Sequence, residues 1–355
     1  MKKIVFFLIF AVLLSMPALA VDTNGLEEAL PETARDVLGD MTVSDISGGE
    51  SFSQKIWDWA QSRIARQIGA AARSACVALT VTLLCSVAAA MSPDGKMPNY
   101  ILLGGALAIM GVCGGDIHSF LGQTQNALGE LSDFSKALLP CIAAAATAAG
   151  HAASGAARYA ASALFFDVLM TVGTTIILPL IYAYSAACTA IAALPDGALG
   201  GPAKLISWCS TTLLTVLTTV FTLFLSLTGV IAGSADKLAG SVAKTTISAA
   251  LPVVGKILSD AAETYLAGAQ ILRSAVGIFG LAGVLGVCLG PFIALGLHYL
   301  FFKAAASISE PFSDGRLSAL VGNIATAYGM ALALLGSAGA MLFVSAALGA
   351  EVFGR

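Results

Sequence analysis

The sequence predicts an all-α, polytopic integral membrane protein, and three observations lead to this class. Hydrophobic residues make up 57% of the 355 residues and charged residues only 11%, against about 25% charged in soluble domains. The mean hydropathy is +0.88. The apolar residues also fall into uncharged runs of 18 to 34 residues, enough for a helix to cross a hydrocarbon core about 30 Å thick. These observations exclude a soluble globular protein.

The N-terminus has the pattern of a secretory signal peptide at residues 1–20. Lys2 and Lys3 precede an apolar core, Ile4 to Leu14, and Ala18-Leu19-Ala20 forms a small-residue cleavage site. The alternative is an uncleaved signal anchor, although the apolar core is short for a span. Cleavage leaves 16 basic and 21 acidic residues. This balance gives no support to nucleic-acid binding, which requires a clustered basic surface.

Residues 21–66 are polar and acidic, and they form an extracytoplasmic N-terminal segment if the signal peptide is removed. The segment ends in a predicted interfacial helix, apolar on one side and suited to lipid headgroups elsewhere. The apolar side consists of Phe52, Ile56, Trp59 and Ala60, and the headgroup residues are Trp57, Arg63 and Arg66.

Residues 67–355 form the predicted membrane domain, with about seven transmembrane helices. The predicted spans are Ser74–Met91, Met97–Gly115, Ala137–Ala157, Val168–Pro195, Leu205–Ala235, Ser274–Phe302 and Leu317–Ala350. Turn residues such as Ser92-Pro93-Asp94-Gly95 separate neighbouring runs. The longest runs need a tilt or a kink to fit one crossing. Six or eight spans are also compatible with this pattern.

A charged, amphipathic segment at 236–273 interrupts the spans. From Val254 to Leu272 the apolar residues fall on one helical stripe, whereas Lys256, Asp260 and Glu263 fall mostly opposite. These three charges are a candidate partner-contact face. The alternative, which the pattern favours, is a helix that lies flat on the headgroups.

The orientation follows from an exported N-terminus and seven spans, which place the C-terminus and the 236–273 segment in the cytoplasm. The basic residues of this segment agree with the positive-inside rule. Arg63, Arg66 and Arg73, at the outer end of the first span, oppose it.

Asp167 is the candidate intramembrane ionisable residue. A charged carboxylate at the centre of a bilayer costs about 2.5–3.5 kcal/mol on insertion scales, so it requires a cavity, a partner or a position near the interface. If Asp167 faces a cavity or the interior of the bundle, its function would be to bind a proton or an ion. The alternative is a carboxylate that reaches the interface or pairs with Arg158, and the position of Asp167 near the start of its run favours this.

Small residues and prolines mark candidate hinges or packing sites in two spans. Small residues allow helices to approach closely, and proline frees a backbone carbonyl and permits a kink. A gating hinge is one interpretation, and close helix packing is the interpretation that the pattern favours. The residues concerned are Pro179, Gly283, Gly286, Gly290 and Pro291.

The remaining reactive residues predict no catalytic, cofactor-binding or metal site. The seven cysteines are dispersed without a CxxC pair, and the three histidines lie far apart in the sequence. A nucleotide-binding loop, a hydrolase elbow and a dinucleotide fingerprint are all missing from the sequence. We therefore predict that the protein is not an enzyme.

Several long segments resemble the stage III sporulation protein AE family of endospore-forming bacteria. The most specific are GVIAGSADKLAGSVAKTTISAALPVVGKILSDAAETYLAGAQILRSAVGIFG and CLGPFIALGLHYLFFKAAASISEPFSDGRL, which lie between Gly229 and Arg316. The segments ALLPCIAAAATAAGHAASGAA and LFFDVLMTVGTTIILPLIYAY extend the resemblance upstream, so that it covers the chain from about Leu131 onward. LPETARDVLGD in the exported segment adds a weaker match.

The resemblance implies a multi-pass protein of the mother-cell membrane that engulfs the forespore. It implies membership in the stage III A assembly, which with the stage II protein Q builds a channel-like complex across both membranes. The ATPase subunit AA would supply the energy. The resemblance assigns no catalytic residue, and it favours self-association because such proteins work in multimeric assemblies. A stand-alone secondary transporter for a small solute and a non-conducting membrane scaffold remain alternatives.

Overall fold

A computed structural model describes residues 28–38, 50–92, 97–148, 152–193, 200–224, 255–313 and 315–350. The predicted signal peptide and most of the exported segment before residue 50 lie outside these ranges. Within them, every regular element is a helix, so the all-α prediction is confirmed.

Eight α-helices follow one another along the described chain. They are α1 Glu32–Leu38, α2 Glu50–Ala90, α3 Met97–Ala148, α4 Ala152–Val172, α5 Leu178–Ala193, α6 Gly200–Phe224, α7 Gly255–Ser309 and α8 Gly315–Ala350. A π-helical turn, Gly173–Ile177, joins α4 to α5, and a 3₁₀ turn, Glu310–Phe312, follows α7.

Six of the described helical segments are long and apolar enough to cross a membrane, and the protein is a multi-pass membrane protein. The sequence predicts about seven spans, with six or eight also compatible, and the difference from seven arises in α3. The predicted spans Met97–Gly115 and Ala137–Ala157 both fall on this one 52-residue helix, up to Ala148. The intervening stretch is polar but contains no proline, and the helix continues through Gly122 and Gly129, so a loss of hydropathy does not end it. At 1.5 Å per residue α3 is about 78 Å long.

The two predicted interfacial helices are also joined to spans without a break. The first, which contains Trp59 and Arg63, is the beginning of α2. The second, predicted at 254–273, is helical from Gly255 and continues into the rest of the 55-residue helix α7. The side chains of Lys256, Asp260 and Glu263 lie outside the described part of the structure.

Antiparallel contacts assemble the long helices into one bundle. In α2 and α3, Cys85 lies opposite Gly105, and the Ser74 hydroxyl donates to the Asp116 carboxylate at 2.6 Å. The order of these contacts is reversed along the two helices, which shows that they run antiparallel. Hydrogen bonding also joins the hydroxyls of Ser162 and Ser345, which are 2.8 Å apart, and so ties α4 to α8.

α7 and α8 form the central antiparallel hairpin of the bundle. Cys288 lies against Gly339 at one level, and Tyr299 lies against Gly329 at another. Aromatic side chains such as Phe302 fill the interior. The outer surface is apolar as well, with many large side chains that are more than half exposed. They include Leu84, Leu107, Leu164, Trp208 and Leu300. An apolar exterior of this extent suits lipid contact rather than water.

Pro179 explains the π-helical turn between α4 and α5. Proline has no backbone N–H, and its ring clashes with the carbonyl four residues earlier, here that of Thr175. The turn absorbs this conflict, and the N–H of Leu178 donates to the carbonyl of Gly173 five residues back. The turn also packs closely against α8. A Cβ on Gly173 would lie only 2.9 Å from Cδ1 of Leu334.

Candidate functional site

A polar cavity opens between α1, α2, α3 and α7. Its volume is about 360 Å³. Three of the predicted hinge or packing residues, Gly286, Gly290 and Pro291, line it together with polar side chains from the other helices. The site is therefore assembled from parts of the sequence more than 200 residues apart.

The α2 wall of the cavity carries its positive charge. Trp59, Arg63 and Gln67 follow one another at four-residue spacing, which places them on one face of the helix. The guanidinium carbon of Arg63 lies 5.6 Å from the centroid of the Trp59 ring, a cation–π contact. The Nε of Arg63 is buried and has no hydrogen-bond partner.

The α3 wall carries the negative charge and two carboxamides. Gln123, Asn126 and Glu130 are three and four residues apart, so they share a helix face. The Thr33 hydroxyl of α1 donates a hydrogen bond to Oε2 of Glu130. No ion pair joins Glu130 to Arg63, although both side chains line the same cavity.

The α7 wall consists of two glycines, a valine and a proline. Gly286 and Gly290 have no side chain, and Pro291 has no N–H to donate to the carbonyl of Val287. Val287 and Pro291 both line the cavity beside the two glycines.

Three glycines of α7 lie in tight contact with neighbouring helices. A Cβ on Gly280 would lie 2.6 Å from Cδ1 of Leu138, and a Cβ on Gly283 would lie 2.5 Å from Cζ of Phe134. On Gly286 it would lie 2.8 Å from the Cα of Ala34 in α1. A Cβ at any of these positions would require a neighbour to move, so α1 and α3 approach α7 closely because glycine occupies these positions.

Asp167 lies on α4 and is exposed at the protein surface. It lines a second cavity, of about 270 Å³, whose opposite wall contains Lys136 and Ser132 of α3. The Nζ of Lys136 lies 2.8 Å from the carboxylate of Asp133. The structure therefore places Asp167 near a cation of another helix, and the side chain of Arg158, its alternative partner, is not among those described.

The model of the stage III sporulation protein AE family matches residues 43–352 of the chain. The chain belongs to this family. A curated relative, stage III sporulation protein AE of Bacillus subtilis (strain 168), is 25% identical over 296 residues. These residues make up 81% of this chain and 72% of that protein. No solved structure matches.

Membership in the stage III sporulation protein AE family gives the protein a role in sporulation. The matched range includes every helix from α2 to the end of α8, and thus three of the four walls of the cavity. α1, which supplies Thr33 and Ala34, lies before the matched range.

A second cluster of polar side chains lies in the interior of the bundle, where α2, α3, α7 and α8 meet. Asp116 accepts a hydrogen bond from Ser74, and its charge lies within electrostatic range of His298 and Tyr328. His298 is 1% exposed, and its Nδ1 lies 2.8 Å from the carbonyl oxygen of Ala294. The Tyr328 hydroxyl is buried without a partner. Phe120 packs on His298, with ring centroids 4.3 Å apart.

Sequence reasoning missed both polar groups for the same reason. Gln123, Asn126 and Glu130 lie between two predicted spans, where the sequence analysis assigns no element, and the three histidines lie far apart in the sequence. The sequence contained a signal for each group. The residues Gln123, Asn126 and Glu130 occur at helical spacing, and His298 is an ionisable residue within an uncharged run. Neither signal shows which helices meet.

Proposed function

We propose that this protein is the membrane-embedded component of the stage III A channel-like complex, which links the mother cell and the forespore during endospore formation. The observation that carries the proposal is the family match across residues 43–352. The multi-pass bundle supports it, because such a component must cross a bilayer several times. Its location would be the mother-cell membrane that engulfs the forespore.

The polar groups of the bundle support a role as a pore or gate rather than as a non-conducting scaffold. Charged and polar side chains within membrane helices are costly, and they mark substrate or ion pathways in many membrane proteins. A pore or gate would use the cavity in which Arg63 and Glu130 form no ion pair, and the buried Tyr328 hydroxyl, whereas a scaffold requires neither.

The partners in this proposal are the other stage III A proteins, including the ATPase subunit AA, and indirectly the stage II protein Q. The N-terminal part of α7, with Lys256, Asp260 and Glu263, is the proposed contact for the ATPase subunit. Because α7 is unbroken, about 53 Å of helix connects Lys256 to Pro291 in the cavity wall. A partner bound at one end would thus act on the cavity through a single rigid element.

Self-association is also proposed, and α3 offers a surface for it. A Cβ added to any of several α3 glycines would meet no atom within 4 Å, so these positions leave room for a helix of another molecule. They are Gly104, Gly111, Gly115, Gly122 and Gly129. A monodisperse monomer in mild detergent, established by native mass measurement, would argue against self-association.

Deletion and complementation in a spore-forming host test the proposal. Loss of the gene should leave engulfment intact and stall the spores afterwards, and wild-type protein should restore heat-resistant spores. Normal numbers of heat-resistant spores in the deletion strain would refute the proposed role.

The same strain tests the contact face on α7. Combined Lys256→Glu and Glu263→Lys substitutions should abolish copurification of the ATPase subunit and lower the count of heat-resistant spores at least tenfold. Lys204→Glu, an exposed lysine on α6, is the matched control and should behave as wild type. Unchanged copurification with the double variant would remove this face from the proposal.

A stand-alone secondary transporter for a small solute is the second candidate, and the solute-sized cavity favours it. It predicts uptake by the purified protein in proteoliposomes without any partner, and loss of uptake in Asp167→Asn. An absence of uptake by the wild-type protein, combined with a sporulation defect in the deletion strain, would favour the channel complex instead.

A further inference from the structure

We propose that the cavity between α1, α2, α3 and α7 is a binding site for a small zwitterionic solute. The carboxylate of the solute would bind Arg63, and its ammonium group would bind Glu130. This inference does not depend on the channel complex, because it follows from the charges and the space within a single chain.

Arg63 supplies an anion site, and its Nε has no acceptor among the described residues. This Nε is buried, and a buried donor on a charged group is unfavourable when it is left unsatisfied. The guanidinium carbon lies 5.6 Å from the centroid of the Trp59 ring, a cation–π contact that restrains its position. A guanidinium carries parallel N–H donors that match a carboxylate as a bidentate pair.

Glu130 supplies the complementary cation site. Thr33 donates to its Oε2, which orients the carboxylate and leaves Oε1 free of any described partner. Ionised carboxylates accept hydrogen bonds at about four lone-pair positions, so Glu130 retains capacity for the N–H groups of an ammonium ion.

The bundle keeps the two charges apart. Arg63 lies on α2 and Glu130 on α3, and the antiparallel register of these helices is set by contacts such as that of Ser74 with Asp116. Opposite charges that face one partly enclosed cavity without pairing leave a position for a ligand that contacts both. Gln67 and Asn126 line the same space and offer neutral donors and acceptors.

Charge and volume together select the class of ligand. A simple anion would be repelled by Glu130 and a simple cation by Arg63, and an apolar ligand would desolvate both charges without compensation. The volume of about 360 Å³ is at the lower end of the range for small-molecule sites, about 300–1,000 Å³. A small molecule with one carboxylate and one ammonium group meets each of these conditions.

Calorimetric titration of the full-length protein in lipid nanodiscs tests the inference with four related probes. L-2-Aminobutyrate and 4-aminobutyrate carry both charges, whereas butyrate and butylammonium carry one charge each on the same four-carbon chain. At least one of the two zwitterions should bind, and each singly charged compound should bind at least tenfold more weakly. If neither zwitterion binds at 10 mM, or if butyrate binds as tightly as the better zwitterion, the inference is overturned.

Substitutions identify the binding groups. Arg63→Gln and Glu130→Gln should each weaken zwitterion binding at least tenfold, while Arg66→Gln, an exposed arginine of α2 that does not line the cavity, should leave it unchanged. Unchanged affinity in either cavity variant, or equal loss in the Arg66→Gln control, would contradict the assignment. Because the probe series uses wild-type protein, it remains decisive even if a variant is poorly folded. Neither test measures sporulation, so failure here is distinguishable from failure of the proposed channel role.

Discussion

Along α7, the glycines at positions 280, 283 and 286 occur in the same sequence pattern as Gly290, but their surroundings differ. The first three lie against side chains or backbone of α1 and α3, at distances that exclude a Cβ. At Gly290, a Cβ would lie 3.5 Å from Trp59, which is an ordinary contact, and it would face the polar cavity.

The difference shows that one glycine stripe has two roles. Its N-terminal part allows α1 and α3 to approach α7, and its C-terminal part, followed by Pro291, leaves space for the site. The tight contacts therefore hold α1 against the bundle, where Thr33 orients Glu130 at the cavity wall. Substitutions along the stripe test this division.

Gly286→Ala should give the largest effect of the series. The added methyl would lie 2.8 Å from the Cα of Ala34, and backbone cannot rotate away as a side chain can, so α1 must shift. We expect a loss of about 1–3 kcal/mol, typical of overpacking, seen as a lower thermal unfolding midpoint in detergent. A midpoint equal to that of wild type would show that α1 does not pack on α7 as described.

Gly280→Ala should cost less, about 1 kcal/mol. Its methyl would meet the end of the Leu138 side chain at 2.6 Å, and a leucine can change rotamer where backbone cannot. The double substitution Gly280→Ala with Leu138→Val relieves the clash, so the two effects should not add. Strictly additive midpoint shifts would mean that the two residues do not touch.

Gly290→Ala should have the smallest effect on stability. There is room for the methyl, and alanine is favoured over glycine inside a helix by up to about 1 kcal/mol. The unfolding midpoint should therefore stay the same or rise. A decrease as large as that of Gly286→Ala would mean that the stripe is equally tight along its length, and the distinction between its two parts would fail.

The helical class and most of the membrane segments could be predicted, because hydropathy is summed over neighbouring residues of one chain. The same sum divides α3 into two predicted spans. Residues 116–136 are polar enough to resemble a loop, yet their backbone stays helical through Asp116 and Lys136. Helix continuity depends on breakers and on packing, and the hydropathy of a stretch reports neither.

Of the residues in the candidate site, the sequence indicated Gly286, Gly290 and Pro291 but could not separate a hinge from a packing contact. It did not indicate Glu130 at all. The glycines are visible because small residues are conspicuous in an apolar run. Glu130 becomes meaningful only beside Arg63 and Thr33, which are 67 and 97 residues away, and no local pattern encodes that proximity.

The sequence by itself determined that this chain is a helical membrane protein of the stage III sporulation protein AE family, because apolar transfer energies and family motifs belong to contiguous residues. Tertiary structure decided that α3 is one helix, that the glycines of α7 receive α1 and α3, and that Arg63 and Glu130 share a cavity without pairing. Those outcomes depend on which helix faces meet, and they are set by packing between distant segments rather than by any one of them.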